Sequence, residues 1–444
     1  MQNRINKEFH KSRRMKFRKT IGKNAAAIIF SASPERRSFD ETHRFKQNKN
    51  FFYLTGFNQP NSALVILPED ISVDFPYMNR KKKVSEILFT QGSDDFAERW
   101  EGKRTSFEQV NKDVGVEAGM PIYLLDKFIS TNLRTYRYLY TNIDQLINLR
   151  SEMREVMLGF VDKLRLHSVS HIFCDVNFII GTMRKVKHEF EVNQIKRAID
   201  ITSKGFSGLL KIIKPGMMEY QVQAELEKIY RSYGATDIAY STIVASGNNA
   251  CYLHYDTNGD KISAGDLMVI DSGAEFNMYN ADVTRTFPVS GRFNKAQRFI
   301  YDVVLTANKE CISRARAGIN FRELSAFSES LIANKLFRAG VIKKNNSIKR
   351  YTMHSLGHGL GLDVHDAVPH VKYSDVDYDK LIAGEVITIE PGLYFMKNDQ
   401  TVPKQFRGIG VRIEDDILIT KSGCVNLTAG IVKEPDEIEK LMAG

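Results

Sequence analysis

Asp271, Asp282, Glu390 and Glu414 are acids at matched places in a sequence that repeats itself. Ala264-Gly265-Asp266-Leu267-Met268-Val269-Ile270-Asp271-Ser272-Gly273 reappears as Ala383-Gly384-Glu385-Val386-Ile387-Thr388-Ile389-Glu390-Pro391-Gly392. In each copy an acid ends an apolar run, and a glycine follows after one intervening residue. Such a run reads as a buried strand. A carboxylate at its inner end is costly unless something cationic pairs with it. Asp282 lies in an alternating segment, 280–287, after the first copy, and Glu414 in 410–417 after the second. Four carboxylates brought together would raise one another's pKa severely. Around two divalent cations they become ligands, two of them able to bridge.

Between the copies lies Met353-His354-Ser355-Leu356-Gly357-His358-Gly359-Leu360-Gly361-Leu362-Asp363-Val364-His365-Asp366, which holds three of the chain's 10 histidines. A zincin would need Glu directly after the first His of an H-x-x-x-H pair, where Ser355 stands. Nor do the glycines spell a phosphate cradle, because no Lys-Ser/Thr follows; they read as places where backbone approaches a site closely. One imidazole among four carboxylates makes an oxygen-rich shell, suited to Mn²⁺, Co²⁺ or Fe²⁺. Singly, each of these residues has an ordinary structural reading, and it is their matched places in a repeat that argue for a metal centre.

The elements that must position them form a larger repeat. A helical pattern from 189 to 213 stops at Lys214-Pro215-Gly216, and a second runs over 219–233. Gly216-Met217-Met218-Glu219-Tyr220-Gln221-Val222 is echoed by Gly318-Ile319-Asn320-Phe321-Arg322-Glu323-Leu324, whose helix continues to Arg338. Each half thus holds a Gly turn, a helix, a loop and a strand ending in an acid, which predicts a pseudo-two-fold domain with its site on the axis. Upstream, 62–67, 87–90 and 172–177 read as strands and 144–164 as a long helix. The expected organisation is a basic N-terminal arm and first strand (1–35), an N-terminal domain (36–180), a linker (181–188, with 182–188 a connecting segment) and a catalytic domain (189–444). The fold class is α/β (α+β), with a mixed-sheet α/β N-terminal domain before the pseudo-two-fold one.

Bulk composition narrows the partners. At 444 residues two domains are expected, and no apolar run is long enough to span a bilayer, so no membrane association is expected. The net charge of +10 is concentrated near 13–19 and 80–83, without a recognisable nucleic-acid module; the expectation is solvated loops and no nucleic acid. Met15 is a second candidate start, which would leave 1–14 as a loose arm. Cys174, Cys251, Cys311 and Cys424 are scattered, with neither metal nor disulfide spacing, which fits a reducing cytoplasm.

The chain resembles the Xaa-Pro aminopeptidases (aminopeptidase P) of the pita-bread metallopeptidases from about Arg36 to its end. The blocks that carry the resemblance are 354–366, 389–394 (Ile-Glu-Pro-Gly-Leu-Tyr), 407–416 (Arg-Gly-Ile-Gly-Val-Arg-Ile-Glu-Asp-Asp) and the ending around 426–428 and 437–442. In the first domain they are Phe45-Lys46-Gln47, Phe-Phe-Tyr-Leu-Thr-Gly-Phe at 51–57 and Trp100-Glu101-Gly102-Lys103-Arg104. The resemblance implies two divalent metal ions, expected to be Mn²⁺. Asp271 and Asp282 would hold one and His358 and Glu390 the other, with Asp282 and Glu414 bridging. It also implies His254 and His354 as substrate-contacting histidines, with His365 the third non-ligand histidine, and Tyr394 and Arg412 supporting ligand carboxylates, Tyr394 also beside substrate. Catalytic parts would fall to His254, His354, His365, Glu390 and Arg412.

On this reading a hydroxide shared by the metals attacks the carbonyl before proline, Glu390 shuttles the proton to the proline nitrogen, and His365 with His254 stabilises the oxyanion. The substrates are peptides with proline at position two, and the resemblance implies a homo-oligomer, dimer or tetramer. Trp100 is expected either to close the pocket from a neighbouring subunit or to pack at a domain interface. Rivals are a prolidase restricted to Xaa-Pro dipeptides, disfavoured by the Tyr-Leu-Thr-Gly-Phe block, and a non-catalytic pita-bread binding protein or a metal-free creatinase-like enzyme. The intact set Asp271, Asp282, His358, Glu390 and Glu414 opposes both of the latter.

Overall fold

The apolar run Ala25–Phe30 becomes β1, buried along its whole length inside a mixed sheet. In the computed structural model, residues 6–77, 80–143, 155, 159, 171–343, 347–366 and 379–443 are described. The chain divides into two units, Met1–Met183 and Arg184–Gly444. In the first, β2 (Ala63–Phe75), β3 (Arg80–Thr90), β4 (Ala118–Pro121), β5 (Tyr138–Thr141) and β6 (Ile172–Asp175) complete the sheet in the order β4-β3-β2-β1-β5-β6. β1 runs antiparallel to β2 and parallel to β5. Residues 62–67 and 87–90 prove to be parts of much longer strands, whereas 172–177 is strand only as far as Asp175.

From Asn6 onward the basic arm is built into the fold. Lys7–Ile21 is a helix capped by the Asn6 side chain, with Phe9, Phe17 and Ile21 buried. Arg14 is fully buried; it donates to Glu86 at 2.8 Å and to the carbonyls of Leu54 and Gly115. Over residues 7–14 the segment is therefore a packed helix and not a loose arm. Gln47 holds the chain too, accepting from Ala32 and Asn48 and donating to Phe57 and Gln59. Much of the Phe-Phe-Tyr-Leu-Thr-Gly-Phe block is core, with Phe51, Tyr53, Leu54 and Phe57 buried. Trp100, by contrast, is 78% exposed, so it is not a packed tryptophan. The helix expected over 144–164 lies, Glu155 and Gly159 apart, outside the described residues.

In the second unit β7 (Asp237–Ile238), β8 (Ile243–Ser246), β9 (Leu267–Asp271), β10 (Ala274–Phe276), β11 (Tyr279–Asn280) and β12 (Thr284–Pro288) belong to the first half. The second half contributes β13 (Val386–Ile389), β14 (Gly392–Phe395), β15 (Ile409–Arg412), β16 (Asp415–Ile419) and β17 (Cys424–Asn426). Helices Glu189–Leu209 and Glu219–Ser232 match Lys295–Arg314 and Phe321–Arg338. The repeat extends to individual hydrogen bonds. Gly216 N–H donates to Ile262 at 2.9 Å and Gly318 N–H to Leu381 at 2.8 Å; Glu219 N–H reaches Asp260 and Phe321 N–H reaches Asp379. β9 pairs antiparallel with β12, and β13 with β16.

Both segments expected as continuous strands are broken at the acid. Asp282 falls between β11 and β12, and Glu414 between β15 and β16. Burial along β12 is unbroken rather than alternating, because both of its faces are covered. Packing also explains the glycine that follows each repeated acid. A Cβ on Gly273 would lie 1.7 Å from the Ala281 carbonyl oxygen, and one on Gly392 would lie 2.4 Å from the Tyr394 hydroxyl. The segment expected to connect the domains, 182–188, carries the end of a helix, Asn177–Lys185.

Candidate metal centre

A cavity of ≈ 720 Å³ in the second unit is lined by Asp271, Asp282, His358, Glu390 and Glu414, with His254, His354, His365 and Arg412. Asp271 ends β9, Glu390 directly follows β13, and Asp282 and Glu414 occupy the two strand breaks. One ligand atom each of Asp282, His358 and Glu414 lies within 4.8 Å of the others. His358 Nε2 is 3.4 Å from both Asp282 Oδ2 and Glu390 Oε1. Its Nδ1 faces the Gly359 carbonyl at 3.1 Å, so the tautomer with hydrogen on Nδ1 leaves Nε2 bare toward the acids. Burial, helped by His365, pulls His358 down to about 4, so the ring is neutral.

Asp271 and Glu414 are held by side chains from the opposite half. Arg412, on β15, donates to Asp271 Oδ2 at 2.6 Å, to Thr284 Oγ1 at 3.1 Å and to the Tyr394 hydroxyl at 2.8 Å. Thr284, on β12, donates to Glu414 Oε2 at 2.8 Å, and Glu414 N–H returns to the Thr284 carbonyl. Asp282 N–H donates to Asp416 Oδ2 at 3.2 Å. Glu390 has weaker support: Thr388 Oγ1 lies 3.4 Å from Oε1 and His354 Nδ1 3.5 Å from Oε2.

Charge balance argues for a cation. Burial first, then neighbouring carboxylates, push the carboxyls of Asp282, Glu390 and Glu414 well above the usual range. Arg412 is the guanidinium on the cavity wall. The Tyr240 hydroxyl lies 2.5 Å from both Asp271 Oδ1 and Asp282 Oδ1. A phenol has one hydrogen to give, so it can donate to only one of the two acids, and the other close oxygen pair calls for a proton on the acid or a cation bound beside it. Neutral imidazole with carboxylate oxygens is the donor set that Mn²⁺-like cations take. These residues fit a divalent metal centre.

Residues 193–421 match the model of metallopeptidase family M24, and residues 10–140 that of the aminopeptidase P N-terminal domain. The Xaa-Pro aminopeptidase of Escherichia coli is 34% identical over 99% of this chain and 98% of its own. The chain belongs to metallopeptidase family M24. Among solved structures, proline aminopeptidase P II from Yersinia pestis superposes with a TM-score of 0.88 at 34% identity, covering 99% of this chain and 100% of that one. A zinc-substituted Escherichia coli aminopeptidase P in complex with product gives 0.88 at 32%, covering 99% of each chain. The mixed-sheet unit followed by a pseudo-two-fold α/β unit is the architecture of this M24 group.

Within the M24 unit the expected site residues come together around one cavity, with one exception. Tyr394 does not line the cavity. It is 2% exposed, and its hydroxyl accepts from Arg412 and lies 2.8 Å from His354 Nε2. Arg412, which lines the cavity, is likewise bonded to Asp271, Tyr394 and Thr284. Burial, then Arg412, lowers His354 to about 4, and its neutral Nε2 accepts from Tyr394. His254 and His365 are exposed at the rim, the His365 ring 4.1 Å from that of His358. The sequence reading missed Tyr240 and Thr284. Thr284 had a signal, two residues from Asp282 in an alternating segment; Tyr240 had none, lying in a turn outside the recognised repeat.

Proposed function

We propose that this M24 metallopeptidase is an Xaa-Pro aminopeptidase working with two divalent cations, Mn²⁺ the expected pair. The observation that carries the proposal is the meeting of Asp282, Glu414 and bare His358 Nε2 in a cavity also lined by His254, His354 and His365. Asp271 and Asp282 would hold one ion and His358 and Glu390 the other, with Asp282 and Glu414 shared. Divalent cations so held lower the proton affinity of water and polarise a carbonyl.

The chain's own groups do the rest. Glu390, the least tightly held acid, takes the proton given up by the attacking water and delivers it to the prolyl nitrogen. His254 and His365 reach from the rim toward the carbonyl oxygen and donate hydrogen bonds as charge builds there. His354, fixed by Tyr394, lines the wall beside the proline ring. Arg412, donating to Oδ2, keeps Asp271 aimed. The reading includes a homo-oligomer, for which Phe96 and Trp100, 75% and 78% exposed on the short helix Asp95–Glu101, offer apolar surface. It also places the enzyme in the cytoplasm, in keeping with four unpaired thiols.

The test is amino-acid release from an Arg-Pro-Pro tripeptide and a Gly-Pro dipeptide, with added Mn²⁺ and with chelator. Mn²⁺-dependent cleavage of the tripeptide first supports the aminopeptidase. Dipeptide-only cleavage would make the chain a prolidase, and chelator-resistant release would remove the metals from the reaction.

A further inference from the structure

His254 stands at the cavity rim with no hydrogen bond to its ring among the described residues, so its place depends on the backbone of the loop that carries it. That loop, 246–260, closes on one buried carboxylate. Glu219 is fully buried and opens the helix Glu219–Ser232. Its Oε1 accepts from Ser246 N–H at 2.7 Å, Ser246 Oγ at 2.7 Å and Asn249 Nδ2 at 3.3 Å. Its Oε2 accepts from the Tyr255 hydroxyl at 2.7 Å and Asp260 N–H at 2.9 Å. Donors thus come from the start of the loop, from the residue after His254 and from the loop's end. No lysine or arginine pairs with this carboxylate among the described residues. Burying an acid on neutral donors alone is an expensive way to hold a helix end, and the repeat shows that the fold does not require it. The matching position in the second half is Phe321, packed against a hydrophobic cluster while making the same backbone bond as Glu219.

We infer that Glu219 is a positioning residue, whose carboxylate sets the reach of His254 toward substrate. The inference rests on the proposed role of His254 in the reaction. Glu219→Gln keeps the shape of the side chain but turns one acceptor into a donor facing Asp260 N–H and the Tyr255 hydroxyl. The half of the loop following His254 is released, while Asp271, Asp282, His358, Glu390 and Glu414 keep their places.

Proline-peptide hydrolysis by the manganese-loaded enzyme tests this in a cycle of Glu219→Gln, His254→Ala and the double variant, with limited proteolysis of each. Glu219→Gln should lower kcat/KM about tenfold, the scale of a small misplacement, with manganese content unchanged. The double variant should fall within about twofold of His254→Ala, because both changes act through one imidazole. Losses that multiply would overturn the inference, as would a Glu219→Gln loop cleaved no faster within 246–260 than wild type. Wild-type rates in His254→Ala would instead remove the proposed role of His254, whatever the proteolysis shows of the clamp. Should Glu219→Gln not fold, Tyr255→Phe removes one of the five bonds and should give about a threefold loss, absent in a His254→Ala background.

Discussion

The two halves of the M24 unit end matching strands on matching acids, yet they treat those acids differently. Asp271 is fixed on both oxygens, by Arg412 and Tyr240, whereas Glu390 has a long contact to Thr388 and another to His354. The rim histidines differ in the same way. The His254 loop closes on neutral donors around Glu219, while His365 is followed by Asp366, buried between Arg184 at 2.5 Å and Lys187 at 2.9 Å. A shared ladder brings equivalent residues to one point, and the side chains around each acid then decide whether it is held still or left able to take and give a proton.

The comparison breaks most sharply at Glu390. Glu390→Ala should cost about 10²–10⁴-fold in turnover, the range of a general acid–base group, with the circular dichroism of the folded chain retained; near-wild-type turnover with manganese present would end the assignment. Asp271→Asn should behave differently. Its loss should be largely restored by excess Mn²⁺, because the defect lies in holding an ion, and a manganese titration of activity separates the two variants. Should neither or both recover, the division between the halves is wrong.

Arg412→Met sharpens the point on stability. Removing one partner of a buried pair costs about 3–5 kcal/mol, and urea unfolding of metal-free protein should show a loss of that order. With manganese bound the loss should shrink, because a cation then faces Asp271. The smallest effect concerns acid. Arg184 and Lys187 hold the Asp366 carboxyl below its ordinary range despite its burial. That stability is present above the unfolded-state pKa and disappears as pH falls through the lower folded-state value. The stability gap between wild type and Asp366→Asn at pH 7 should therefore close below about pH 4; a gap that stays constant on acidification would mean that ion pairing does not hold the loop.

Much of the site was legible because a repeat places residues without any knowledge of angles. Asp271 and Glu390 follow from an apolar run ending in an acid, and Asp282 and Glu414 from the segments after it. Strand continuity was not legible: the backbone breaks at Asp282 and Glu414 so that each carboxylate turns inward, and an alternating pattern carries no mark of such a turn. The surroundings of Tyr394 were illegible for a related reason. On a strand beside the site its hydroxyl can turn to the cavity or to the frame, and only the folded chain brings it to Arg412 and His354. Nor could basic composition show that the N-terminal segment is a docked helix, since Arg14 reads as one charge among many until Glu86 is set against it. Tyr240 and the five donors of Glu219 depend on contacts across the fold that no local pattern records.

The most direct test of the account is anomalous diffraction from crystals of the manganese-loaded protein. Two peaks per chain are predicted, both touching Asp282 and Glu414, one also Asp271 and the other His358 and Glu390. A single peak, or two that leave either Asp271 or Glu390 without an ion, would contradict it.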